Sequence, residues 1–132
     1  FPIYFDFCEE HEIPPHDIQP FLDITNWERT LKAINHLNEM TVKPDAIITH
    51  SDQVASFIIS QFRKRDIKMP EEISVVGFDN LMISDLMNFT SVDYSIKEQG
   101  RNACRLLLNE LGAGPYELMP LRFTLIKRGT TK

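Results

Sequence analysis

Pro70-Glu71-Glu72-Ile73-Ser74-Val75-Val76-Gly77-Phe78-Asp79-Asn80 is the stretch whose reading decides the fold. Ile73 to Phe78 is an apolar, β-branched run without alternation, the pattern of a strand covered on both faces of a parallel sheet. Pro70-Glu71-Glu72 is a short polar entry, and Asp79-Asn80 stops the strand abruptly. An ionised carboxylate just past a buried strand is costly to desolvate unless something donates hydrogen bonds to it. Asp79 therefore has two readings. It is an acceptor for the hydroxyls or amines of a ligand, or it is a cap or turn residue for the short helix that follows.

Working outward, Ala46-Ile47-Ile48-Thr49 after Pro44-Asp45 reads as a second compact strand. Ser51-Asp52 stands where a helix should begin, with Val54, Ala55, Ile58, Ile59 and Phe62 as its buried stripe and Asp66 and Pro70 marking its exit. Capping is the ordinary role of Ser51 and Asp52, although a helix N-terminus is also a polar contact point for a ligand. On the other side, Leu81 to Met87 forms a short helix and Thr90 to Tyr94 alternates like a strand. Ser95-Ile96-Lys97-Glu98 fits a capping box, in which the Ser hydroxyl and the Glu carboxylate satisfy free N–H groups reciprocally. The helix behind it puts Ile96, Ala103, Leu107 and Leu111 on one face, with Cys104 and Leu108 beside them, and Gly112 and Gly114-Pro115 end it. Leu121, Phe123 and Leu125 alternate with Arg122 and Thr124 as a last strand.

Toward the start, Phe1 to Glu12 crowds its apolar residues onto one face and predicts a helix that Pro14-Pro15 stops. Ile18 to Ile24, with Pro20 inside, predicts an edge strand. Thr25-Asn26-Trp27-Glu28 fits another capping box, leading a helix whose stripe is Trp27, Leu31, Ile34 and Leu37 and which ends near Met40. Strands and helices thus alternate with joints of about two to six residues, which argues an α/β fold with a mostly parallel sheet flanked by helices. Such sheets bind ligands outside the carboxyl ends of their strands, which singles out the loops after Ile24, His50 and Phe78.

Composition narrows the function. With 132 residues, 42% apolar and 25% charged, the chain can build its own core, and no apolar run approaches the length of a membrane span. A net charge of −5 does not suit direct contact with nucleic acid. The basic cluster Arg63, Lys64, Arg65 and Lys68 reads as a solvated helix end, where cations suit the dipole. Cys8 and Cys104 lack partner spacing and read as two buried thiols in a reducing compartment. His11, His16, His36 and His50 lack metal spacing, there is no Gly-rich phosphate loop, and no Ser sits in a nucleophile elbow. No catalytic residue, metal or cofactor is assigned, and an enzyme is not expected. Phe1, Tyr4, Phe5 and Phe7 read as packing residues, not as a binding box.

From Pro44 to Arg128 these segments line up with a known pattern. PDAIITHSD, then PEEISVVGFDN, then FTSVDYS, a helix with Gly100 and a run of Leu, and a closing LIKRGTT resemble the effector-binding domain of the lactose-repressor/galactose-repressor family of transcription regulators. PEEISVVGFDN is the most specific part, and the resemblance covers about two thirds of the chain closely. It implies a periplasmic-binding-protein-like fold of type I, truncated at the amino end, with an effector between two α/β subdomains. The second subdomain would take roughly 14–89 and 117–132, and part of the first roughly 1–12 and 90–112. Phe1 aligns midway through the domain, so a ligand-gripping arginine expected four positions upstream and the DNA-binding domain would both be missing. The resemblance makes Asp79 the effector's hydrogen-bond acceptor, Ser51 a polar contact and Ile24 the site where many members place a stacking aromatic. Tyr94 stands where Gln is usual and Arg29 where Gly is usual, which leaves the effector's identity open. The family's dimer interface would draw on Ser56, Ile59, Leu81, Met82, Leu86 and Met87. The expected partners are a sugar or sugar phosphate, a second copy of the chain, and DNA only through the amino-terminal domain. The expected location is the cytoplasm. An extracytoplasmic sugar-binding protein of a transporter is the alternative.

Overall fold

The computed structural model of the chain describes residues 9–12 and 27–132. It divides into two units, Phe1–Pro44 and Asp45–Lys132. Most of the helix expected over 1–12, the edge strand over 18–24, and the Thr25-Asn26 half of the first capping box lie outside the described residues, as do Ile24 and Cys8.

In the first unit, helix α1 spans Trp27–Glu39, and Met40 N–H closes its last turn on His36 O at 3.1 Å. Its buried residues are Thr30, Ala33, Ile34 and Leu37, an i, i+3, i+4, i+7 set. The expected stripe is therefore rotated by less than a turn. Ile34 and Leu37 belong to it, Trp27 is 41% exposed, and Leu31 is half-buried.

In the second unit the order is β1 (Ala46–Ile48), α2 (Asp52–Arg63), β2 (Ser74–Phe78), α3 (Met82–Leu86), β3 (Thr90–Asp93), α4 (Ile96–Glu110) and β4 (Thr124–Ile126). The strands form one sheet in the order β1-β2-β3-β4. β1, β2 and β3 are parallel, with Ile47 opposite Val75 and Gly77 opposite Ser91, and β4 returns antiparallel with Leu125 opposite Val92. Helix α2 packs on β2 and buries the expected Val54, Ala55, Ile58, Ile59 and Phe62, each of these side chains except Ala55 contributing about 1.5–3 kcal/mol. Asp52 is buried with them.

The closing segment stitches the sheet together. Thr130 O accepts from Val75 N–H at 3.0 Å, and the Thr130 hydroxyl donates to Val75 O at 2.7 Å while accepting from Thr90 N–H at 3.0 Å. Thr90 Oγ1 also accepts from Arg128 N–H at 2.9 Å and bonds Thr131 Oγ1 at 2.7 Å. This tail occupies the place beside β2 where β3 has not yet begun. Thr90 and Ser91 are both fully buried, so β3 lacks the simple alternation expected of it.

Five further expectations are corrected. Strand β2 is buried on one face only, the face of Val75 and Gly77, whereas Ser74, Val76 and Phe78 are half-exposed. Cys104 is a free thiol on the exposed surface of α4, because the whole apolar face of that helix, Ile96, Leu107, Leu108 and Leu111, is exposed. Ser95 does not make a capping box. It adopts φ 59°, ψ 42°, its N–H donates to Asp93 Oδ1 at 2.7 Å, and Glu98 turns to Arg101 and Arg105 instead of back to Ser95. The last joint, 111–123, far exceeds six residues, and the final strand is shorter than its alternation implied.

That long joint is an ordered strap. Ser95 Oγ donates to Arg122 O at 2.8 Å and accepts from Arg122 N–H at 3.3 Å. Asn102 pairs in the same two-point way with Met119, at 2.7 and 3.0 Å, and Asn109 with Tyr116, at 2.9 and 2.7 Å. Seven helical residues rise about 10.5 Å and three extended residues span about 10 Å, so the two periods coincide. Gly112, at φ 74°, closes α4 as expected of it: Gly112 N–H bonds Asn109 O and Ala113 N–H bonds Leu108 O, a Schellman ending.

Candidate functional site

Three parallel strands in adjacent positions end at the same edge of the sheet. That edge receives His50-Ser51 from β1, Asp79-Asn80 from β2 and Tyr94 from β3. The two loops of this unit singled out from the sequence are thus brought together, and Tyr94 joins them.

Asp79 leaves the strand at φ 107° and Asn80 follows at φ 48°. Asp and Asn are the non-glycine residues that adopt positive φ most readily. The turn is pinned by Asp79 N–H on Val92 O at 2.9 Å and Asn80 N–H on Ser91 Oγ at 3.0 Å. Asn80 Nδ2 donates to Asp93 Oδ2 at 3.1 Å, and Arg128 Nη2 donates to Asn80 Oδ1 at 3.0 Å. The Tyr94 hydroxyl and the backbone N–H of Asp52 lie near enough to the Asp79 carboxylate to favour its charged form. Desolvation raises the Asp79 pKa from the ordinary aspartate value, and the negative charge of Asp52 adds to the rise. The Tyr94 hydroxyl, the Asp52 N–H and the charge of His50 pull it part of the way back. Tyr94 is raised as well, by desolvation and then by Asp79, and its ring lies 5.2 Å from that of Phe78, tilted by 31°.

Asp79 does not cap α3. Leu81 precedes that helix without any side-chain cap, and its N–H is taken by Asp52 Oδ2 at 2.6 Å. Asp52 Oδ1 accepts from Ser91 Oγ, also at 2.6 Å. One fully buried carboxylate thus ties α2, α3 and β3 together. Read from spacing alone, Asp52 had only a capping role, because an Asp in the first turn of a helix is ordinary; the available signal was Gly77, the small residue that leaves room for it. Ser51 performs its expected capping: at φ −157°, ψ 156° its Oγ accepts from Val54 N–H at 3.4 Å.

Of the residues assigned to a dimer surface, Leu81, Met82 and Leu86 are exposed, while Met87 and Ser56 are half-buried. Ile59 is corrected: it is fully buried against the core and presents no surface to a partner. Among the described residues no group of three His, Cys, Asp or Glu could hold a metal ion, and no helix is long and apolar enough to cross a membrane.

Residues 2–131 match the family model of the periplasmic binding protein-like domain. The HTH-type transcriptional repressor CytR of Escherichia coli (strain K12) is 33% identical over 113 residues, covering 80% of this chain and 32% of that protein. The NTD biosynthesis operon regulator NtdR of Bacillus subtilis (strain 168) is 31% identical over 93 residues, covering 69% of this chain and 28% of that protein. Among solved structures, a LacI family transcriptional regulator from Lactobacillus casei with bound sucrose superposes with a TM-score of 0.83 at 25% identity, covering 97% of this chain and 49% of that one. The chain spans about a third of the length of these curated relatives and about half of that solved structure. From the match over residues 2–131, and from the regulators that share its sequence and its sheet, the chain belongs to the periplasmic binding protein-like domain family, in the form carried by LacI-family transcription regulators.

Proposed function

We propose that this chain is the effector-binding part of a LacI-family transcription regulator that senses a sugar or a phosphorylated sugar. The observation that carries the proposal is Asp79. A desolvated carboxylate with a raised pKa stands at the ligand-binding edge of a parallel sheet and does not cap the next helix, which has no side-chain cap. The similarity to a sucrose-bound regulator and to proteins named as repressors supports it. Ser51, Tyr94 and Ile24 complete the proposed ligand contacts.

In this reading the effector lies between two interleaved subdomains, roughly 14–89 with 117–132 and 1–12 with 90–112. Its differential affinity for the open and closed states shifts the spacing of DNA-reading domains that belong to a separate amino-terminal module. The protein works in the cytoplasm as a homodimer through Leu81, Met82, Leu86, Met87 and Ser56, and catalyses no reaction. The relatives' names favour a regulator over an extracytoplasmic sugar carrier.

A thermal-shift series with glucose, sucrose and glucose 6-phosphate on the regulator carrying these residues tests the proposal. A ligand at a hundred times its Kd stabilises by about 2.7 kcal/mol, enough to read as a clear rise in Tm. The rise should vanish in Asp79→Ala. A rise that persists undiminished in that variant refutes the assignment.

A further inference from the structure

Resting on the effector-site reading above, we propose that Asn80 is a positioning residue of that site: its side-chain amide locks the Asp79 turn to the Tyr94–Ser95 segment, and the affinity of the site depends on that lock. The amide lies between a group that can only donate and a group that can only accept. Arg128 Nη2 donates to Asn80 Oδ1 at 3.0 Å, and Asn80 Nδ2 donates to Asp93 Oδ2 at 3.1 Å. A guanidinium has no acceptor and an ionised carboxylate no donor, so the amide has one orientation here.

Both anchors are held from behind. The Arg128 side chain is 15% exposed; its Nη1 donates to Phe89 O at 3.1 Å and to Ser84 Oγ at 3.4 Å, and its Nε faces Asp85 Oδ1 at 3.6 Å. Asp93 uses its other oxygen to accept from Ser95 N–H at 2.7 Å, where the backbone turns to φ 59° ahead of α4. The backbone of Asn80 is fixed as well. Its N–H donates to Ser91 Oγ at 3.0 Å, and that hydroxyl passes its own hydrogen to Asp52 Oδ1 at 2.6 Å.

Position 80 therefore makes three demands at once: a left-handed backbone at φ 48°, a donor toward Asp93 and an acceptor toward Arg128. Glycine meets only the first. Aspartate meets the first and the third, but sets a second carboxylate against Asp93. Asparagine meets all three. What the bridge positions are the neighbours in the chain. Asp79 precedes Asn80 at φ 107°, a conformation that side chains rarely adopt, so the direction of its carboxylate depends on what fixes the next residue. Tyr94 follows Asp93, with its ring 5.2 Å from that of Phe78. One side-chain hydrogen bond thus spans the two strand ends that carry Asp79 and Tyr94.

A reciprocal swap of the two side chains tests the inference. The regulator carrying these residues is prepared as Asn80→Asp, as Asn80→Gly, and as each of these combined with Asp93→Asn. Each is followed at pH 7 by amide hydrogen exchange at Ser95 and by calorimetric titration with sucrose, glucose and glucose 6-phosphate. Asn80→Asp and Asn80→Gly should each speed exchange at Ser95, and weaken whichever sugar binds, by about tenfold, the factor that one hydrogen bond to a charged group is worth. Asn80→Asp with Asp93→Asn keeps the wild-type charge, puts the donor at 93 and the acceptor at 80, and should bring both readings back close to the wild type. Asn80→Gly with Asp93→Asn should recover neither. Wild-type exchange at Ser95 in Asn80→Asp, or a swap as impaired as the single variant, overturns the inference, and the effector reading stands if Asp79→Ala abolishes sugar binding. Binding that is lost in Asp79→Ala but unchanged in Asn80→Asp also overturns it, because the bridge then holds only the fold. No binding of any of the three probes, or binding indifferent to Asp79→Ala, removes the effector reading, and this inference with it.

Discussion

A Cβ on Gly77 would overlap Asp52 Oδ1 and come within 2.7 Å of Phe89 Cε2, both in a fully buried part of the unit. Neither neighbour can give way. Asp52 is held by two hydrogen bonds of 2.6 Å, and Phe89 is packed on all sides. Gly77→Ala should therefore lower unfolding free energy by about 1–3 kcal/mol or more, read as a lower urea midpoint at an unchanged m-value. Asp79 makes the opposite case. Its folded-state pKa lies above the unfolded one, so the native protein binds the proton more tightly over the intervening pH range. Stability is then greatest below the unfolded pKa and is lost as pH rises through the folded one. Asp79→Asn should accordingly match the wild type near pH 3 and exceed it in Tm near pH 7. An equal or larger advantage at the acidic end contradicts that sign. A residue that destabilises the fold while ionised is what a binding site retains and a core does not. The sequence could place Asp79, because a carboxylate after ISVVGF is conspicuous. It could not place Asp52, whose importance lies in partners 29 and 39 residues away, Leu81 and Ser91.

Elements whose apolar residues meet the core of their own unit were legible, and those whose faces remain exposed were not. Helix α2 shows the stripe its spacing predicted, and β1, β2 and α3 fall where the residues put them. Helix α4 has as clear a stripe, yet none of its residues is buried, because periodicity specifies an apolar face and not what covers it. The capping box at Ser95 failed for a related reason. A hydroxyl that can reach a helical N–H can also reach a strap 27 residues away, and Arg122 won it. The strap itself has no signature of its own, since the asparagines that hold it are two ordinary polar residues on an exposed helix. Its dependence on them is testable. Asn102→Ala should speed amide hydrogen exchange at Met119 and its neighbours severalfold while leaving exchange in α2 unchanged, because the Met119 N–H has Asn102 Oδ1 as its acceptor. Exchange at Met119 as slow as in the wild type would mean that α4 does not hold the strap through this residue.

At the scale of the whole molecule, the described residues place their apolar surface unevenly. Ile96, Leu107 and Leu111 on α4, and Leu118, Leu121 and Phe123 on the strap, are all at least 44% exposed. Each such side chain left in water forgoes about 1.5–3 kcal/mol that burial would provide. Exposed large apolar side chains concentrated on two neighbouring chain segments mark a contact surface more often than single ones scattered over a molecule do. The net charge of −5 over 132 residues is modest, so long-range repulsion opposes association only weakly at physiological salt, where charges are screened beyond about 8 Å. The 132-residue chain should therefore self-associate or melt early. Light scattering should show a mass that rises with concentration, and the paired substitution Leu107→Glu and Leu111→Glu should reduce it at little cost to the fold, because both side chains are already wet, at 60% and 70% exposure. A strictly monomeric chain with a high melting temperature would show instead that 11 large apolar side chains between Ile96 and Leu125 can stay solvated without penalty. That outcome is hard to reconcile with unfolding free energies of only about 5–15 kcal/mol for a domain of this size.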